Sequence, residues 1–381
     1  MSEWKKCTLG DVLNLRRGYD LPHSKMMEGN IPVAGSNGII GTHNIATPIE
    51  PCITVGRSGS AGSTFIYDRA WAHNTTLYID DFKGNDPKYL YYLLLSLPLN
   101  KMAGGSAVPS LNRNHIHPLN ITFPTTLETQ HKIASILTSL DDKIAINRRI
   151  CENLEAQAQA LFKHWFIDFT PFKDGQFVES ELGMIPEGWS VGTLTEIAEY
   201  LNGLAMQKFP PISDDDAIPV LKIKELGQSQ CDNNSDKCSK QIKQEYIIKN
   251  GDVVFSWSGT LMVDIWCGGI CGLNQHLFKV TSDNYPKWFY LMWTKHHLAE
   301  FVRIAKDKAV TMGHIKRGDL EKALVAIPDS DTLDKMSKVM EDIHNQIINT
   351  RLESNALSTL RDTLLPKLMS GELKVNITTN H

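Results

Sequence analysis

The sequence predicts an α+β chain built as an internal repeat: two α/β domains joined by a long antiparallel two-helix coiled coil about a pseudo-two-fold axis. Three observations predict it. Short segments recur in the same order in the two halves, each series ends in a long heptad-patterned stretch, and one globular segment links the end of the first stretch to the start of the second. The 381 residues, 42% of them hydrophobic, have room for two or three ordinary globular domains.

The repeat opens with Trp4, Thr8, Leu9, Asp11 and Val12, which return as Trp189, Thr193, Leu194, Glu196 and Ile197; Gly18 and Gly203 close the two segments. Ile31, Pro32 and Val33 reappear as Ile218, Pro219 and Val220. Ile53, Thr54 and Val55 match Val253, Val254 and Phe255, and Ser58 and Gly59 match Ser258 and Gly259. His73 and Asn74 pair with Leu273 and Asn274, and Pro87, Lys88 and Tyr89 with Pro286, Lys287 and Trp288. Ala107 and Val108 pair with Ala309 and Val310, and Phe123 and Pro124 with Ile327 and Pro328. Each match alone is weak; a shared order with small drift in spacing marks a duplicated unit.

Inside each domain the pattern is mixed. A helix-like turn comes first (residues 8–15 and 193–201). Short β-rich runs bounded by Gly, Pro and Asn follow, such as 53–55, 64–67, 76–79 and 252–256. A helix then follows each Pro–Lys pair, over 89–97 and 288–305. Residues 56–64 are glycine-rich but lack the lysine of a phosphate-binding P-loop, and read as a tight turn between strands.

After each domain the apolar residues alternate by four and three. The first seam runs Ile133, Leu137, Leu140, Ile144, Asn147, Cys151, Leu154, Ala158, Leu161, Trp165. The second runs Met336, Met340, Ile343, Ile347, Thr350, Ser354, Leu357, Arg361, Leu364, Leu368 and stops at Ser370 and Gly371. So narrow and sustained a seam is that of a coiled coil, with Asn147 as a polar register residue. One domain joins the end of the first helix to the start of the second. A parallel pair would hold those points about 50 Å apart, so the pair is antiparallel. The resulting boundaries are 1–125 and 189–328 for the domains and 126–170 and 329–374 for the helices. Residues 171–188 form a linker punctuated by Pro171, Gly175, Gly183, Pro186 and Gly188, and 375–381 a loose tail.

Composition narrows the function. A net charge of −4 argues against a uniformly basic surface, while leaving room for local basic patches. No apolar run is long enough for a membrane helix, no signal peptide is visible, and the seven scattered cysteines fit a reduced, cytoplasmic protein. Cys231, Cys238, Cys267 and Cys271 miss zinc-pair spacing and have no counterpart in the first repeat, so buried thiols are expected. His23, His43, His296, His297 and His314 show no ligand spacing, and Asp214, Asp215 and Asp216 read as a solvated loop. Neither an adenine-methyltransferase loop nor its glycine-rich cofactor turn is present; Phe209, Pro210, Pro211 and Ile212 lack the flanking groups the loop needs. Two repeated domains without a catalytic constellation point to binding.

The layout resembles the specificity subunits of type I restriction–modification systems. The resemblance is carried by Ile185 to Trp189 before the second domain, by Leu127, Glu128, Thr129, Gln130, His131, Lys132 and Ile133 at the start of the central helix, and by residues 364–373 at the end of the last one. It spans essentially the whole chain and implies two target-recognition domains, each reading half of a split DNA site, with the helices as a spacer. It also implies a non-catalytic chain without cofactor. Two modification subunits carrying S-adenosylmethionine would dock on the helices, and two restriction subunits would bring ATP and Mg. Domains at the ends of such a spacer would meet double-stranded DNA about one to one and a half turns apart. Two domains of different sequence imply a non-palindromic target. A free-standing DNA-binding regulator and a protein-only coiled-coil adaptor are the alternatives.

Base reading needs donors and acceptors on exposed loops, and phosphate positioning needs cations. In domain one Arg57, Ser58 and Ser60 lead, with Arg16, Arg17, Lys25, Arg69 and Arg113 behind them. In domain two Lys208, Lys222, Lys224, Ser256, Trp257 and Ser258 lead, followed by Lys306, Lys308, Lys316 and Arg317. On the helices, Arg148, Arg149, Gln157, Gln159, Lys163, Arg351 and Glu353 are expected on outer faces that a partner covers.

Overall fold

A threonine followed three residues later by an acid starts each half in the same way. The Thr8 amide donates to Asp11 Oδ2 at 2.8 Å and the Thr193 amide to Glu196 Oε2 at 2.7 Å, capping one helical turn in each case. The computed structural model describes residues 4–102, 104, 110–307 and 313–375. The chain divides into two compact units, one of Met1–Ile144 with Leu357–His381 and one of Ala145–Ala356.

In the first unit β1 (Trp4–Thr8) leads through the four-residue α1 (Leu9–Val12) into β2 (Asn14–Arg17). Then come β3 (Ile31–Gly35), β4 (Gly38–His43), β5 (Cys52–Gly56), β6 (Thr64–Tyr67), β7 (Trp71–Ala72) and β8 (Thr76–Asp81). Helices α2 (Pro87–Ser96) and α3 (Arg113–Ile116), strand β9 (Asn120–Pro124) and the start of α4 (Leu127–Phe162) complete the run. Strands order as β2-β8-β5-β6 in one antiparallel sheet and β4-β3-β7 in another, while β9 pairs with β1 and ties the ends of the domain together. Pro87 sits in the first turn of α2, and Asp86 Oδ1 accepts from the Tyr89 amide at 2.6 Å. That helix buries Tyr89, Leu90 and Leu93 against Leu13, Leu15, Ile53 and Phe123.

The second unit repeats this order with one short helix and one strand added, Ile223–Gln228 and Ile247–Ile248. After the hairpin β10 (Phe177–Ser180) and β11 (Gly183–Pro186) come β12 (Ser190–Thr193), α5 (Leu194–Ile197), β13 (Glu199–Asn202), β14 (Ala217–Leu221), α6 (Ile223–Gln228) and β15 (Lys237–Ser239). β16 (Ile247–Ile248), β17 (Val253–Ser256), β18 (Met262–Ile265), β19 (Cys271–Leu273) and β20 (Leu277–Thr281) follow, then α7 (Lys287–Asp307), α8 (Arg317–Leu320), β21 (Leu324–Ile327) and α9 (Ser330–Ser370). Its main sheet is β13-β20-β17-β18, its second β15-β14-β19-β16, and β12 pairs with β21. Trp288, Phe289, Trp293 and Phe301 of α7 fill its core with Phe255.

The shared order fixes residue equivalences. Val33 lies beside Trp71 and Ala34 beside Ala72, as Val220 lies beside Gly272 and Leu221 beside Leu273. His73 therefore matches Asn274, one residue later than the sequence pairing with Leu273, because the parallel ladder and not residue similarity sets the register. The repeated glycine has a steric cause. A Cβ at Gly18 would stand 2.2 Å from the His73 carbonyl oxygen, and one at Gly203 2.2 Å from that of Asn274. The opening turns are also shorter than expected: each stops after four residues and becomes the edge strand β2 or β13.

The stretch expected as a linker is ordered. Beyond Phe162 the helix ends in a π-turn, Lys163–Ile167, and the β10–β11 hairpin follows. Phe166, Phe169 and Phe172 pack tilted or edge-on around Trp189 with ring centroids 5.1–5.5 Å from it, and Ile185 is buried. These aromatic and aliphatic side chains supply the apolar surface that a free linker lacks.

The long helices run antiparallel in both units. In the first, Arg361 Nη1 donates to Asp141 Oδ1 at 2.7 Å. In the second, Asn147 Nδ2 donates to Glu353 Oε2 at 2.7 Å and the Cys151 thiol to the Ile347 carbonyl at 3.8 Å. Ile133, Leu137, Asn147, Cys151, Ala158, Met336, Met340, Ile347 and Leu368 are buried; Leu140, Ile144, Leu154, Leu161, Ile343, Leu357 and Leu364 are half-buried. One outward assignment is corrected. Arg351 is wedged between Glu155 Oε1 at 2.6 Å and Asp264 Oδ1 at 3.0 Å, because it stands at the seam's edge, where a long side chain reaches across to a polar partner. Glu353 is exposed as expected and accepts from Asn147. Arg148, Arg149, Gln157, Gln159 and Lys163 are exposed. Residues 107–108, 309–310 and 376–381, named in the sequence pairing and tail, lie outside the described residues.

Candidate nucleic-acid interface

Four arginines of the first unit meet at one place. Arg16 and Arg17 end the edge strand β2, Arg57 follows β5, and Arg113 opens α3. The segment before α3 is laced onto the β5–β6 turn: the Leu111 amide donates to the Arg57 carbonyl at 2.7 Å, and Ser58 bridges to Ser110. The arginines line a cavity of about 360 Å3 with Ser110 and Asn112. No carboxylate belongs to that lining among the described residues, so the basin concentrates positive potential and favours an anion.

Three of the four are held. Arg17 reaches Asp20 at 3.5 Å, Arg16 lies over the Tyr19 ring at 5.9 Å, and Arg113 Nη1 donates to the Leu15 carbonyl at 3.3 Å. Arg57 is half-buried, and among the described residues its guanidinium has no partner. Ser58 and Ser60 sit half-buried on the same turn. Lys25 is exposed on a separate 3-10 turn, and Arg69 pairs with Glu50 at 2.8 Å; neither lines the basin.

The same backbone frame carries different chemistry in the second unit. The Ile315 amide donates to the Trp257 carbonyl at 3.1 Å, and Ser258 bridges to His314, so Trp257 stands where Arg57 does. Asn202 lies opposite Phe278 on β20 as Arg17 lies opposite Leu77 on β8, which places Asn202 at the Arg17 position and Leu201 at that of Arg16. Only Arg317, opening α8, keeps the cation of Arg113, and it pairs with Glu321 at 3.9 Å. Trp257 Nε1 donates to Asn202 Oδ1 at 2.9 Å, and its ring lies 5.8 Å from His276 and Phe278 and 6.3 Å from His314.

Two expected DNA-facing residues are corrected. Ser256 is fully buried and donates to the Ser258 carbonyl at 3.2 Å, and Ser258 is 5% exposed, since both lie on or beside a strand covered on both faces. Lys222 pairs with Asp236, and Lys224 with Asp232 at 3.3 Å, both on exposed surface. Lys208, Lys306 and Lys316 are exposed, and Lys308 lies outside the described residues. Ser110, Asn112, Asn202, His276 and His314 were missed. The Ser58–Gly59 and Gly18 matches carried the signal, because they align Arg57 with Trp257 and Arg17 with Asn202.

Among the described residues no three His, Cys, Asp or Glu side chains gather closely enough to hold a metal ion. Burial pushes the Cys52 thiol up to about 12 and those of Cys238 and Cys267 up to about 11. No described helix is long and apolar enough to cross a membrane.

A family model described as the type I restriction modification DNA specificity domain matches residues 1–156 and 186–357. The specificity subunit of the type I restriction enzyme MjaIX from Methanocaldococcus jannaschii is 32% identical over 76% of this chain and 69% of its own length. That of HindI from Haemophilus influenzae is 22% identical over 75% and 77%. The crystal structure of a type I restriction–modification S subunit from M. genitalium has the same fold, with a TM-score of 0.59, 16% identity and coverage of 98% of this chain and 97% of that one.

Proposed function

The chain belongs to the type I restriction–modification DNA specificity family, and from that premise we propose that its two domains read the unlike halves of one split target in double-stranded DNA. It is the non-catalytic specificity subunit of such a system. The reading is carried by one observation: the backbone frame that gathers four arginines in the first unit carries Trp257 and Asn202 in the second, where Arg57 and Arg17 stand in the first. A shared frame with unlike side chains reads unlike sequences, because hydrogen-bond pattern is what distinguishes base edges.

The helices α4 and α9 act as the spacer between half-sites and as the dock for two modification subunits. Ile136, Ile146, Val339 and Leu360 are exposed along them, apolar side chains of the kind a partner covers. S-adenosylmethionine would be bound by the modification subunits, and ATP and Mg by two restriction subunits.

The test is co-expression with the modification subunit followed by sequencing of methylated DNA. The expected result is one split, asymmetric motif with methyladenine in each half. A palindromic motif, or a soluble complex that methylates nothing, overturns the reading.

A further inference from the structure

We propose that the half-site bound by the first domain contains a G·C pair whose guanine is read by Arg57, and that the second domain reads its half without a guanidinium there, through Asn202 and Trp257; this rests on the half-site reading above. Arg57 is the one guanidinium of the basin that keeps its donors unspent among the described residues, while Asp20, the Tyr19 ring and the Leu15 carbonyl engage the other three. It is also held in place. Its carbonyl accepts from the Leu111 amide at 2.7 Å and its amide donates to the Thr75 carbonyl at 2.8 Å, so the side chain leaves a backbone fixed on both sides.

A guanidinium is a planar fork of donors with no acceptor. Guanine offers two acceptors side by side in the major groove, O6 and N7, which the fork fits in bidentate fashion. Adenine places an amino donor beside N7 and is rejected. Neighbouring Arg16, Arg17 and Arg113 supply the cations that hold phosphates close.

At the matching place in the second unit the indole of Trp257 donates to Asn202 Oδ1 at 2.9 Å, fixing which way the amide points. An oriented asparagine amide suits adenine N6 and N7, and the Trp257 ring, packed on Phe278, offers an apolar face to a thymine methyl group.

The experiment uses the full chain assembled with its modification subunit and reads the methylated motif by sequencing. For Arg57→Gln and Arg57→Met, one G·C position in one half-site is expected to become degenerate, with discrimination falling about tenfold or more and the other half unchanged. Asn202→Ala should relax the opposite half. Arg57→Lys, whose ammonium can still donate to guanine O6 and N7, should keep the guanine at reduced discrimination and carries the test if the neutral variants fail to assemble. An unaltered motif for Arg57→Met or Arg57→Gln, or loss of specificity at an A·T pair in any Arg57 variant, overturns the assignment to guanine. A wild-type complex with no split motif overturns the functional reading itself.

Discussion

Three histidines of the second unit show how burial sets behaviour at the scale of single residues. His296, His297 and His344 lie in or against the core, and desolvation holds each below the usual imidazole range. His344 Nδ1 lies 2.7 Å from the Met340 carbonyl. A depressed folded value means that the unfolded chain takes up protons first. Stability contributed by these groups is thus complete above about pH 7 and is lost as pH falls through about 6.5 toward the folded values. Thermal melts between about pH 8 and pH 5 should show that decline, and His344→Leu should flatten it. The same scale explains the corrected serines. Serine in a β-run reads as exposed or buried with equal ease, and only the second covering layer puts Ser256 inside.

Helices and turns were more legible, because their signals are periodic and local. Every residue of the heptad seam on α4 and α9 is buried or half-buried, and Thr8 with Asp11 and Thr193 with Glu196 mark both opening turns. Asn147 is the seam's polar member. Its Nδ2 reaches Glu353, but its Oδ1 is buried without a partner among the described residues. Replacing it removes an unsatisfied acceptor, so Asn147→Leu should raise stability by about 1–2 kcal/mol in denaturant titrations. A loss of stability would assign the Glu353 hydrogen bond the larger part. The hairpin after α4 was illegible for a related reason. Turn residues such as Gly183 and Pro186 punctuate linkers and hairpins alike, and the difference lies in whether Phe166, Phe169 and Phe172 find a surface to pack on.

At the scale of the whole molecule a net charge of −4 coexists with a basin of four arginines, so DNA affinity depends on where charge sits and not on its sum. For the complex with modification subunits, the slope of log affinity against log salt should fall by about 0.9 for each phosphate that is no longer neutralised. Replacing Arg16, Arg17 and Arg113 by alanine should flatten it measurably in anisotropy titrations. Lys222→Ala with Lys224→Ala, in the other unit, should change it less than the arginine triple does, since neither lysine lines the basin. An unchanged slope for the arginine triple would take the phosphates away from the basin.

Duplication, class of fold, the heptad seam and the absence of catalytic motifs all follow from order and spacing along the chain, which survive because a repeated backbone needs the same glycines and caps in both copies. The convergence of Arg16, Arg17, Arg57 and Arg113, the substitution of Trp257 and Asn202 at the matching places, the burial of Ser256 and the pairing of Arg351 with Glu155 and Asp264 are products of tertiary packing. Residues forty to a hundred positions apart meet only when β2, β5 and α3 are brought together by strand pairing, and no local pattern encodes that distance.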